Sequence, residues 1–350
     1  MDEIMNRIGE VYEPFKVHFL HKPVRPLAPN EVLVKVRASA ICGSDLHIAR
    51  GLHPSAPLPV TIGHEFSGDV VAIGSEVTKA RLGERVTVEP CIVCGKCDAC
   101  RHGQYGYCEH ISYTYRRGDG AMADYVVVKE PYVYELPEYL SYQTGALIEP
   151  LAVGFHAANQ GGAHAGQTAV VMGAGCIGLV SMMALKAEGV SRVYVVDIMQ
   201  KRLDKALELG ADGVINSREK DAVQTILDLT DGLGCDLVIE TAGTEITTRQ
   251  AIEMAQKGAN IVLVGYSKSG EMTLPMSLAL DKELTFKTVF RYRHIYPMAI
   301  DAVASGKINL KGIVTNIFDF DDIQNAMDKS ISDKANIVKA VVKIAEATKV

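Results

Sequence analysis

No run of apolar residues in this chain reaches the roughly 18–20 needed to cross a bilayer as a helix, which argues against a membrane span. There is no basic tract either. The 36 lysines and arginines are scattered among 42 acids, the net charge is −6, and nothing in this balance supports nucleic-acid binding. Internal repeats and low-complexity segments are missing, so solenoid and fibrous architectures are set aside. Met1–Glu10 lacks the charged start and apolar core of a secretory signal, and the expected location is the cytoplasm. Disulfides are disfavoured there. The eight cysteines, five of them between Cys91 and Cys108, therefore read first as metal ligands.

What is present suits two domains. A length of 350 residues is long for one hydrophobic core, and 48% hydrophobic with 22% charged is ordinary for a globular protein. Up to about residue 150, short β-branched runs (Val32–Val36, Gly68–Ile73, Tyr125–Val128) alternate with Gly and Pro, and Pro54, Pro57 and Pro59 forbid a helix in their stretch. This predicts an irregular β-rich domain with long loops. From Thr168 the texture becomes α/β. Strands are expected at Thr168–Met172, Val193–Val196, Val214–Ile215, Leu237–Glu240 and Ile261–Gly265. Helices are expected at Ile177–Glu188, Met199–Leu209, Asp221–Leu229 and Ile246–Gln256. Such alternation implies a doubly wound parallel sheet covered on both faces. After about 288 a helix (Pro297–Ser305), a strand (Ile313–Phe318), a helix (Asp322–Lys329) and a last strand (Val338–Ile344) follow. Texture alone leaves open whether this tail closes the sheet domain or returns to the first.

Gly173-Ala174-Gly175-Cys176-Ile177-Gly178 fits GxGxxG between a predicted strand and a predicted helix. In that context Gly173 makes the tight turn, Gly175 lets the backbone approach a pyrophosphate, and Gly178 lets helix and strand pack closely. The helix N-terminus offers free N–H groups to the phosphates. Asp197 ends the next strand, where an acid binds ribose hydroxyls and repels a 2′-phosphate, so NAD is favoured over NADP. Arg202 can lie against the adenine, and it keeps NADP in view.

Cys94, Cys97, Cys100 and Cys108 follow C-x2-C-x2-C-x7-C, the spacing of a closed thiolate set for structural zinc. Cys91 is a fifth candidate, and an iron–sulfur cluster is the competing cofactor. Cys42, Ser44, Asp45 and His47 lie close together in one segment, His64 and Glu65 in a second, and Glu149 in a third. A catalytic zinc keeps three protein ligands and an open position. Cys42 and His64 with a carboxylate, from Glu65 or Glu149, supply that mixed set.

These segments resemble the zinc-containing medium-chain dehydrogenases: CGSDLH at 42–47, GHEFSG at 63–68, the cysteine cluster, IEPLAVGFHA at 148–157 and GAGCIG at 173–178. The resemblance runs from about Glu31 to the end. It implies a GroES-like β-rich catalytic domain (1–151 and 288–350) and a Rossmann NAD-binding domain (152–287). It also implies one catalytic and one structural zinc per chain, and a homo-oligomer, dimer or tetramer. Within the family the chain is similar to the sorbitol (L-iditol) and xylitol dehydrogenases, which implies a polyol substrate and ketose product. By that resemblance Cys42, His64 and Glu65 hold the catalytic zinc, with Glu149 binding directly, through water or in exchange. Ser44 and His47 relay the alcohol proton, and Asp45 fixes loop geometry. Arg291 and Tyr292 grip substrate hydroxyls. Ile177, Asp197 and Arg202 contact NAD, and Val264-Gly265-Tyr266 lies beside the nicotinamide. Ile48 stands where the animal sorbitol enzymes carry a tyrosine.

Other readings are a dehydrogenase for a diol, threonine or a polyol phosphate, for which Arg50, Arg116, Arg117 and Arg293 offer basic groups. A zinc-independent quinone or enone reductase on the same fold and a non-catalytic NADH-sensing protein complete the set.

Overall fold

The computed structural model describes residues 4–51, 56–114, 120–267 and 269–344. The chain divides into two compact units, 1–149 with 314–350, and 150–313.

The first unit contains strands β1 (Met5–Glu13), β2 (Lys16–Pro23), β3 (Glu31–Ala40), β4 (Val60–Thr61), β5 (Glu65–Ile73), β6 (Arg85–Val88), β7 (Cys91–Ile92), β8 (Ser112–Tyr113), β9 (Tyr125–Lys129) and β10 (Val133–Glu135). Its short helices are α1 (Gly43–Ala49), α2 (Asp98–Arg101) and α3 (Tyr142–Ala146). The sequence EVLVKVRASA makes β3 a central strand. Its valines line one face, residues on both faces are buried, and β5 and β9 run antiparallel to it. Phe66, Ile62, Met122 and the valines of β3 pack one core. Each such fully buried side chain contributes about 1.5–3 kcal/mol.

The second unit begins within α4 (Ile148–Gly161), where Pro150 sits in the first turn, a position that needs no N–H. Strands β11 (Thr168–Met172), β12 (Arg192–Asp197), β13 (Gly213–Asn216), β14 (Cys235–Glu240), β15 (Ala255–Leu263) and β16 (Thr285–Thr288) alternate with α5 (Cys176–Ala187), α6 (Gln200–Glu208), α7 (Ala222–Leu229), α8 (Glu245–Met254) and α9 (Met276–Asp281), before α10 (Tyr296–Ala304). The strands are parallel in the order β13-β12-β11-β14-β15-β16. Strand order reverses between β11 and β14, and ligands bind outside the carboxyl ends of strands at such a switch point. All five residues of β11 are buried, as its unbroken apolar run predicts.

The tail returns to the first unit as β17 (Val314–Asp319), α11 (Ile323–Ser332) and β18 (Lys339–Lys343), with β18 antiparallel to β3. The boundary differs from the one expected. Residues 288–313 belong with the second unit, where the N–H of Val289 donates to the Leu263 carbonyl at 3.0 Å and the side chain of Leu209 lies against Gly312. The expected helix to Gln256 stops at Met254, because Ala255 already pairs with Cys235 as strand. Among the described residues no helix is long and apolar enough to cross a membrane.

Candidate active site and cofactor sites

Strands β5 and β18 both flank β3 antiparallel to it, so the end of β3 and the starts of β5 and β18 meet at one edge of the sheet. Cys42 follows β3, Glu65 opens β5 and Lys339 opens β18. The ligand atoms of Cys42, His64 and Glu65 lie within 4.8 Å of one another. Asp45, 0% exposed, organises this group from within α1. Its carboxylate accepts the N–H of Cys42 (2.9 Å) and of Gly63 (3.1 Å) and faces Nδ1 of His64 at 3.2 Å. Burial opposes charge on both partners, but their mutual attraction and the backbone donors outweigh it. The Asp45 carboxyl is held below the usual carboxylate range and the His64 imidazole well above its own. An imidazole whose Nδ1 is turned to a carboxylate offers Nε2 as a metal ligand.

Both oxygens of Glu65 accept from Nζ of Lys339 at 2.8 Å, and the two side chains are 1% and 4% exposed. Lys339 also donates to the carbonyl of Ile41 at 3.3 Å. Glu149, buried in the first turn of α4, falls outside the Cys42–His64–Glu65 group. Ser44 and His47 are exposed and sit one turn apart on α1, whereas Ile48 is wholly buried in the core.

The second group is Cys94, Cys97, Cys100 and Cys108, whose sulfurs also lie within 4.8 Å of one another. Sulfurs placed about 2.3 Å from a tetrahedral zinc are about 3.8 Å apart. The Cys94–Cys108 and Cys94–Cys100 separations are 3.6 Å and 4.0 Å, so the cage fits that ion. N–H groups of Cys97, Cys94 and His110 point at these sulfurs from 3.3–3.4 Å and favour thiolate. The N–H groups of Lys96 and Cys97 pull the Cys94 thiol down to about 6. Burial, then the Cys97 and Cys108 thiols, push Cys100 up to about 12. A divalent cation resolves that conflict by letting neighbouring thiols ionise together. Cys91 lies outside this cage, and its thiol donates to the buried Glu89 at 3.4 Å.

In the second unit the glycines of the β11–α5 turn divide by physical cause. Gly173 has φ +99°, and a Cβ there would meet the Thr241 hydroxyl at 2.8 Å. A Cβ on Gly178 would lie 1.8 Å from the Gly173 carbonyl oxygen. Both are thus required by the chain's own packing. Gly175 is not, since only the tip of Arg202 comes within 4 Å of its missing Cβ, at 3.8 Å. Its bareness leaves room for a ligand at the amino end of α5, which is the cradle a pyrophosphate needs. Asp197 closes the turn by accepting the N–H of Ala174 (2.7 Å) and Met199 (2.8 Å). Ile177 is half-buried on α5. Val264 and Gly265 follow β15 half-buried, and Tyr266 is 79% exposed.

Arg291 and Tyr292, both buried, follow β16, with the guanidinium 5.5 Å from the Tyr292 ring centroid and Tyr296 beyond it at 5.9 Å. Arg50 stands over the Phe15 ring at 5.7 Å, and Arg293 faces His156; Arg116 and Arg117 lie outside the described residues. Sequence reasoning missed Lys339 and Thr241. For Lys339 a signal existed, a lysine opening the apolar strand KAVVK, but its partner stands 274 positions away.

The chain is similar to known proteins over most of its length. Residues 28–138 match the alcohol dehydrogenase GroES-like domain and residues 176–305 the zinc-binding dehydrogenase family. An uncharacterized zinc-type alcohol dehydrogenase-like protein of Escherichia coli is 38% identical, over 91% of this chain and 92% of its own length. A sorbitol dehydrogenase of Bacillus subtilis is 36% identical, over 91% and 92%. A zinc-binding dehydrogenase of Sinorhizobium meliloti, solved with NADP bound, superposes with TM-score 0.92 at 30% identity, covering 98% of this chain and all of that one (100%). The family matches fall in both units, and relatives above 30% identity cover about nine-tenths of the chain, which belongs to the zinc-binding alcohol dehydrogenases of the medium-chain type.

Proposed function

We propose that this dehydrogenase oxidises a secondary hydroxyl of an unphosphorylated polyol, of the sorbitol, L-iditol or xylitol kind, to a ketose with NAD. The observation that carries the reading is the gathering of Cys42, His64 and Glu65, with Asp45 and Lys339 behind them. Zinc held by that set supplies Lewis acidity that favours alkoxide over alcohol, and NAD supplies the hydride acceptor. Cys42 and His64 are the fixed ligands. Glu65, whose charge Lys339 already offsets, and Glu149 are the carboxylates that complete or exchange at the third position. Cys94, Cys97, Cys100 and Cys108 hold the structural zinc.

Ser44 takes the substrate's proton and passes it to His47, whose exposure gives it an outlet to solvent. Arg291 and Tyr292 bind the further hydroxyls that an apolar pocket would reject. Asp197 and Arg202 would hold the adenosine half of NAD, Gly173, Gly175, Ile177 and Gly178 its pyrophosphate, and Val264, Gly265 and Tyr266 its nicotinamide. Asp197 favours NAD by repelling a 2′-phosphate. The expected assembly is a dimer or tetramer, which sedimentation velocity reads directly.

The test is reduced-cofactor formation by purified protein over polyols, butanediol, threonine and polyol phosphates, each with NAD and with NADP. Turnover confined to unphosphorylated polyols with NAD is the expected result. Silence on them with turnover of another alcohol removes the polyol assignment, and preference for NADP removes the role given to Asp197.

A further inference from the structure

Strand β14 ends at the switch point with a residue that no part of the chemistry above uses. Glu240 is 1% exposed, and burial raises its pKa above the usual carboxylate value. Yet its carboxylate accepts from three groups. Oε1 accepts the N–H of Ala242 (2.9 Å), the N–H of Gly243 (2.9 Å) and the hydroxyl of Thr247 (2.8 Å), while Oε2 accepts Gly243 again at 3.2 Å. Hydrogen bonds from donors favour the ionised form and offset part of the cost of burial.

The same residue's main-chain carbonyl accepts the N–H of Val264 (2.8 Å) and Gly265 (3.1 Å). The two loops so joined are packed without slack. A Cβ on Gly265 would lie 2.3 Å from the Gly243 nitrogen, and one on Gly243 2.4 Å from the Tyr266 carbonyl oxygen. Next in sequence, Thr241 reaches the other way. Its hydroxyl donates to the Met172 carbonyl at 2.8 Å and stands against the glycine turn.

We propose that Glu240 is a positioning residue for the nicotinamide half of the cofactor. Its buried carboxylate fixes the 242–243 loop, and through it the 264–266 loop packed on that loop. Thr241 ties the same strand end to the pyrophosphate turn, so the two halves of the dinucleotide have separate anchors on adjacent residues. This rests on the cofactor seating proposed above.

The test measures affinity for NADH and for ADP-ribose, which lacks the nicotinamide, in wild type, Glu240→Gln and Thr247→Val, with thermal melts as the fold control. Glutamine keeps the shape but removes the charge and puts an amide N–H2 where one carboxylate oxygen accepts from Gly243. The expected result is NADH affinity weakened roughly ten- to a hundredfold, the range for hydrogen bonds to a charged group, with ADP-ribose affinity held within about twofold. The emission of bound NADH should shift towards that of the free cofactor. Thr247→Val removes one donor from the carboxylate and should give a smaller loss with the same selectivity, which decides the matter if Glu240→Gln does not fold. Equal weakening of both ligands, or no weakening of either, overturns the inference while wild-type NADH binding upholds the seating. Wild type that binds neither ligand overturns both.

Discussion

Glu65 and Lys339 form a pair that folding has removed from water, at 1% and 4% exposure. Taking two charges into the interior costs several kcal/mol each, and their attraction repays it only while both are present. Lys339→Met should therefore destabilise the metal-free protein by about 3–5 kcal/mol, because it leaves a buried carboxylate without its counter-charge. Urea unfolding followed by far-UV circular dichroism measures this, and an unchanged midpoint would contradict the account of the pair. The residues of this neighbourhood were unequally legible. Cys42, His64 and Glu65 stand in short segments whose residue types suggest a mixed ligand set. Lys339 comes from the far end of the chain, and only the adjacency of β18 to β3 brings it there.

Helix α4 carries a second readable charge effect. Its His156 is 7% exposed, and burial, followed by the nearby Arg293 cation, lowers the imidazole to about 4 from its ordinary 6.5. Between those values the unfolded chain binds a proton that the native protein does not. The stabilisation from keeping the ring neutral is complete above pH 6.5 and is lost as pH falls through about 4. A shift of this size corresponds to on the order of 3 kcal/mol. His156→Gln should flatten the acid side of the stability curve across that window, as measured by urea midpoints at half-unit pH steps. An unchanged slope would show that His156 does not titrate with folding. At this scale periodicity served well for the second unit, where expected elements such as Ile177–Glu188 and Asp221–Leu229 correspond to α5 and α7 within a residue or two. It served less well for β1, β2 and β16, which were not foreseen. Those strands are partly exposed and mix charged with apolar residues, so no clean alternation marks them.

For the whole molecule, the chain leaves its first unit at Glu149 and comes back at Val314. That return completes a sheet in which β3 is central, and it could not be read from texture, because a late strand fits either unit until its partner is known. The resemblance to a family supplied the return, though with an earlier boundary, since Tyr296–Ala304 and the turn after it pack with the second unit. The two groups of side chains that could hold a metal both lie in the first unit and share no residue. We propose that turnover depends on a zinc held by Cys42, His64 and Glu65, separate from the one in the four-thiol cage. Zinc content by plasma mass spectrometry, in wild type and in Cys42→Ser, tests it most directly when paired with alcohol-dependent NADH formation. Two zinc ions per chain should fall to one, with turnover abolished and NADH binding kept. A variant that retains both ions and full turnover would contradict it.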